Sequence, residues 1–179
     1  DVLHTYKHDI DKMNNSVVNT SNTKFSRIKI DDSLIRFVYR HPLILENGDL
    51  ISHGEYSPLF KMDFCSNLLW INQKEKFHHS INIDSDGNIF VGAAIYPYSK
   101  YIRKYIKNSN FIDDAITKIN LDGKIIYKKS ISELLYENGI LKESDLFTFA
   151  QDPIHLNDIQ PVLKDGQYFK KGDLFLSLS

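Results

Sequence analysis

The sequence predicts an all-β chain, and three observations carry that expectation. Apolar residues alternate with polar ones in short runs. These runs are punctuated by Asn-Gly or Asp-Gly pairs ending at Gly48, Gly87, Gly123 and Gly166. Such pairs between alternating apolar residues are the strongest short-range hairpin signal. The third observation is a plan that recurs along the chain: a histidine, alternating apolar residues, a glycine turn and a further strand.

The first copy is His41-Pro-Leu-Ile-Leu-Glu-Asn-Gly48-Asp-Leu-Ile-Ser52. The second runs from His79 through Asp86-Gly87 to Val91, and the third from His155 to Gly166 with Asp173-Leu-Phe-Leu176 after it. The first two continue into matching hairpins, Leu59-Phe-Lys61-Met-Asp63 with Asn67-Leu-Leu-Trp70, and Ile116-Thr-Lys118-Ile-Asn120 with Gly123-Lys-Ile-Ile-Tyr127. Four strands per copy, recurring 38 positions apart at His41 and His79, approach the period of about 40–45 residues that propeller blades show. The expected architecture is therefore a partial β-propeller of four-stranded antiparallel blades with one short inserted helix.

On this reading residues 1–40 are lead-in strands and loop, 41–72 a first blade and 77–130 a second blade with an insertion. Residues 131–151 are a helical connection, and 152–179 the first half of a third blade. Ser130-Ile-Ser-Glu133 is a capping-box start and Asn138-Gly139 a stop, which places the short helix at Ile131 to Glu137. Tyr96 to Asn110 reads as a short amphipathic helix or a long loop, and residues 13–24 as a solvated loop. The N-terminus has neither an initiator Met nor a signal-peptide pattern and reads as a chain joined mid-strand. At the other end Leu174-Phe-Leu-Ser-Leu-Ser179 reads as part of a core strand. Propellers close with about 4–8 blades. The remaining blades are thus expected from the parent chain or from another chain.

The 179 residues carry a formal charge of -1, which gives no reason to expect nucleic acid or an anionic membrane as partner. No apolar run approaches the roughly 20 residues of a membrane span. Cys65 is the single cysteine, so an intrachain disulfide and a cysteine-based zinc site are excluded. No HExxH, Walker A, dinucleotide-binding or Gly-x-Ser-x-Gly pattern is present. Asp84-Ser-Asp86-Gly87-Asn88 resembles part of a calcium loop but lacks the closing glutamate. It reads as a hairpin turn, and neither metal nor cofactor is expected.

The segment Asp152-Pro-Ile-His155-Leu-Asn157-Asp-Ile-Gln-Pro161 concentrates a histidine, an amide and two carboxylates among prolines and aliphatic residues. It fits neither a helix nor an ordinary core strand, and a strand, a turn at Asp165-Gly166 and a second strand are expected after it. Residues i and i+2 of a strand share a side. His155 and Asn157 can converge on one small ligand, or they can cap a loop and satisfy backbone groups. His78-His79 is the second candidate. Neighbours on a strand face opposite ways, and His79, which opens a repeat, is favoured for a shared central channel. His41 reads as structural because Pro42 follows it, His53 as a residue within reach of the same surface, and His4 and His8 as peripheral.

These segments, with Trp70, Phe77-His78-His79-Ser80-Ile81, Asp122-Gly123-Lys124-Ile125 and Gly172-Asp173-Leu-Phe-Leu-Ser177, resemble the bacterial arylsulfotransferase family from about Phe37 onward. The resemblance implies a β-propeller enzyme that moves a sulfuryl group from an aryl sulfate to a phenol without the nucleotide donor PAPS, through a sulfohistidine. It implies that His155 and Asn157 bind the sulfuryl oxygens and that His79, or His78, is an earlier channel histidine. The family's arginine and nucleophilic histidine are expected beyond Ser179, so no catalytic nucleophile is assigned here and these residues alone are expected to be inactive. The alternative is a non-catalytic binding or scaffold propeller of the same ancestry. An extracytoplasmic location is implied only through the resemblance.

Overall fold

The computed structural model describes residues 1–17, 33–95, 98–107, 111–148 and 152–179, without the side chains of 147 and 148. Two compact units divide between His78 and His79. The first holds helix α1 (Ile10–Ser16) and strands β1 (Arg40–Ile44), β2 (Leu50–His53) and β3 (Ser57–Met62). Strand β4 (Leu68–Ile83) begins there and continues into the second unit. The order is β1-β2-β3-β4 with antiparallel pairing, for example Leu50 opposite Met62 and Phe60 opposite Ile71. Met13 of α1 packs with Leu50, Phe60 and Met62, which makes the core of this unit.

In the second unit β4 is followed by β5 (Ile89–Ile95), helix α2 (Lys100–Arg103), β6 (Asp113–Ile119) and β7 (Ile125–Ser130). Helices α3 (Ile131–Glu137) and α4 (Glu143–Thr148) come next. Strands β8 (Leu156–Pro161) and β9 (Leu174–Leu178) then form a separate antiparallel pair. Phe90, Ile116, Ile131, Ile154, Leu156 and Ile159 make a buried core that joins sheet, helix and the β8 segment.

Four of the hairpins share one turn. In each, the N–H of the first residue donates to the carbonyl four positions on, and the N–H of the fourth donates back to the first carbonyl. The pairs are Leu45 with Asp49, Asp63 with Asn67, Asp84 with Asn88 and Asn120 with Lys124. The fourth residue is left-handed every time, as Gly48, Ser66, Gly87 and Gly123. This is a type I turn closed by a left-handed residue, which is why Asn-Gly and Asp-Gly mark it. Asp63, Asp84 and Asn120 also accept a hydrogen bond on the side chain from the N–H four residues on. The lysines matched by sequence act alike: Lys61 lies 2.8 Å from Asp49, and Lys118 2.7 Å from Asp84.

Antiparallel β-structure is thus present with few helices, but several expectations need correction. Among the described residues there are four helices rather than one inserted helix. Residues 13–16 are helical, capped by the Asp9 carboxylate accepting from Lys12 N–H at 2.9 Å, and Met13 is buried. The rest of that expected loop, from 18 to 24, lies outside the described residues. Residues 1–8 form no strand. The mixed segment after His155 is itself a strand, beginning at Leu156, and the connection to β9 spans 162–173. Strand β9 packs half-buried Leu174 and Leu176 on the core and leaves Phe175 and Leu178 exposed. Ser130 does cap α3, accepting from Glu133 N–H at 3.0 Å.

Gly48 and Gly87 share a φ of 81°, but a methyl group on Gly48 meets Phe64 Cδ2 at 2.8 Å and one on Gly87 meets nothing within 4 Å. Gly87→Ala is expected to cost about 1 kcal/mol for the left-handed backbone. Gly48→Ala should cost about 1–2 kcal/mol more, from overpacking. Denaturant titration of both variants measures the difference.

Candidate functional site

His155 immediately precedes β8, with its backbone paired to Ser179 by two hydrogen bonds of 3.0 Å. Its half-buried ring has both nitrogens engaged. Nδ1 lies 2.5 Å from Asp152 Oδ2, and Nε2 lies 2.5 Å from His79 Nε2. The imidazoles of His79 and His155 meet edge to face, at 88° with centroids 4.6 Å apart. Residues 76 positions apart are thus brought together.

His79 reaches this position through a left-handed backbone, φ 58°, inside β4. Such a conformation in a non-glycine residue is uncommon and costs of order 1 kcal/mol, and it gathers at functional sites. His41 has the same peculiarity, φ 39°, but is exposed. His78 is fully buried and stacks on Tyr56 at 4.8 Å. His53 is also buried, with Nδ1 2.5 Å from the Gly54 carbonyl. His8 is not peripheral: it packs on Phe37, Tyr39 and Phe60, and burial pushes its pKa down to about 4.

Asn157 is half-buried, and its amide donates to Ser179 Oγ at 3.1 Å and to the His155 carbonyl at 3.4 Å. The carboxamide therefore sits beside His155 and braces the strand entrance at the same time.

Sequence reasoning gave no role to the side chains that hold this segment in place. Asp114 Oδ2, buried in β6, accepts from Leu156 N–H at 2.8 Å and lies 4.0 Å from His155 Nδ1. From β4, Ser80 Oγ accepts from Ile159 N–H at 3.3 Å, and Asn82 donates to Asp158 Oδ1 and the Ile159 carbonyl at 2.9 and 2.8 Å. Burial pushes Asp158 up, but hydrogen bonds from Ser80, Gln160, Ile159 and Asn82 outweigh it and hold the carboxyl below its ordinary range. The available signal was Asp113-Asp114, two adjacent carboxylates inside an apolar strand.

Asp114, Asp152 and His155 offer ligand atoms within 4.8 Å of one another. Asp152 Oδ2 meets the imidazole, and Asp114 Oδ2 accepts a backbone N–H. At Asp84–Asn88 the carboxylate is occupied by the turn N–H groups and Lys118.

A family model described as arylsulfotransferase (ASST) matches residues 41–179. The chain belongs to that family. Searches of curated proteins and of solved structures return no match. Membership in the arylsulfotransferase family supports a general sulfotransferase-like function and suggests aryl sulfate and phenol as substrates. No helix among the described residues is long and apolar enough to cross a membrane.

Asp113, beside Asp114, is buried and accepts from Ser130 Oγ at 2.9 Å. Burial pushes its pKa up from 3.8 to about 6, against the hydrogen bonds it accepts. The folded state therefore binds this proton more tightly than the unfolded chain. Its contribution to stability is present below about pH 4 and is lost as pH rises to about 6. Asp113→Asn keeps an acceptor for Ser130 and cannot ionise. It is expected to flatten that pH dependence and to gain about 1–3 kcal/mol at pH 7, measured by denaturation across pH.

Proposed function

We propose that this chain forms the sulfuryl-binding part of a propeller arylsulfotransferase, with His79, His155 and Asn157 as the residues that receive the sulfuryl oxygens. The observation that carries this reading is the meeting of His79 Nε2 and His155 Nε2 at 2.5 Å. Two imidazoles are brought together from distant strands, one of them on a left-handed backbone. Four consecutive antiparallel strands in each unit, with β4 counted in both, support the blade reading. So do the repeated turn and its matched lysine–carboxylate pair.

The chemistry suits the residues. Sulfate ester oxygens carry negative charge that grows on the bridging atom as the bond to the phenol breaks. Imidazole and carboxamide N–H groups can stabilise charge on the sulfuryl oxygens. A neutral imidazole is the fitting attacker, since an anionic nucleophile is repelled by the same oxygens. On this reading no residue among 1–179 is assigned as the attacker. The role of these residues is to bind and orient the group in transfer, and the phenolic acceptor belongs to the same reading.

In the full-length gene product, His155→Ala is expected to lower transfer from an aryl sulfate to a phenol by about 100-fold or more, with the fold retained by circular dichroism. Full activity in that variant removes His155 from the mechanism.

A further inference from the structure

We propose that Asp152 is the positioning residue of the His79–His155 pair, and that it prepares the pair to take up one proton when an anion binds. The inference rests on the reading that this pair receives sulfuryl oxygens.

At 2.5 Å the two Nε2 atoms hold one proton between them. Two facing N–H groups repel, and two lone pairs give no bond. An ionised carboxylate only accepts, so Asp152 Oδ2 at 2.5 Å places a proton on His155 Nδ1. Nε2 of neutral His155 then carries the lone pair, and His79 supplies the bridging N–H. The closed pair has one donor engaged and none to spare.

An anionic oxygen entering between the rings needs an N–H from each. His79 already has one. His155 must gain a proton at Nε2, which comes from solvent and leaves the ring an imidazolium. Asp152 stabilises that cation through a charge-assisted hydrogen bond, and buried Asp114, 4.0 Å from the same Nδ1, adds negative potential. Among the described residues, ionisable groups near the His155 ring include His79 from β4, Asp114 from β6 and Asp152 from its own turn. Asp113 is turned to Ser130, and Asp158 to Asn82 and Gln160. Removing Asp152 takes away the partner that both fixes the tautomer and supports the charge. Asp152 touches no reacting atom, and its effect runs through His155.

The experiment is calorimetric binding of inorganic sulfate to the full-length gene product from about pH 5 to 8, in buffers of different ionisation heat. Alongside it, nitrogen-15 spectra of labelled histidines report which ring nitrogen of His155 is protonated. Wild type is expected to absorb one proton per sulfate bound, with affinity falling about tenfold per pH unit on the alkaline limb. Asp152→Ala should weaken sulfate about 10- to 100-fold, move the pH profile to lower pH and release the Nδ1–H tautomer, while Asp152→Glu restores part of both. Asp152→Ser serves if the Ala variant does not fold. Unchanged tautomer and unchanged profile in a folded variant overturn the role of Asp152, and sulfate binding without proton uptake overturns the linkage. Wild type that binds no sulfate at any pH overturns the sulfuryl-binding reading instead, and the histidine spectra still decide the role of Asp152.

Discussion

A buried carboxylate, Asp114, holds the arrangement on which the site depends. Its Oδ2 accepts the N–H of Leu156, the first residue of β8, and stands near the imidazole of the residue before it. One carboxylate therefore holds the backbone that presents His155 and stands beside its ring. The β8 segment is tied to β4 and β6 by side chains of Asp114, Ser80 and Asn82 that meet its backbone or Asp158. A buried polar network of this kind is stable only when its members are satisfied. That requirement limits how the segment can shift.

Much of the local structure was legible because it follows from short-range chemistry. The four turns needed a left-handed residue at a fixed place, and glycine in three of them announces it. Ser66 takes that role in the fourth, which explains why no glycine marks the turn after Asp63. The cap at Ser130 was equally plain. The matched lysines were visible as a pattern, and the structure supplies the partner that makes the pattern meaningful, a turn carboxylate on the preceding hairpin.

What escaped the sequence depended on contacts between distant residues. The segment after His155 looked too polar for a strand because Asp158 and Gln160 interrupt it. Asn82, 76 positions away, and Gln160 itself satisfy Asp158, and only Leu156 and Ile159 need burial. The doublet His78-His79 was ambiguous because strand alternation says only that neighbours diverge. His79 meets His155, while His78 lies buried against Tyr56. Asp152 was in view as a carboxylate, but its role follows from a side-chain distance that spacing alone does not give.

The left-handed backbone at His79 also bears on how such a site is gained or lost. Along β4 buried and less buried positions do not alternate cleanly: His78 and Phe77 are both buried, as are Ser80 and Ile81, with half-buried His79 between them. The residue thus sits at a break in the phase of the strand. Deleting a single codon there shifts Ser80 to Ile83 by one position and turns each of these side chains to the other face of the strand, so that Ser80 and Asn82 no longer meet the β8 segment. The contacts that hold the β8 segment therefore depend on the phase of β4 as much as on the residues that make them.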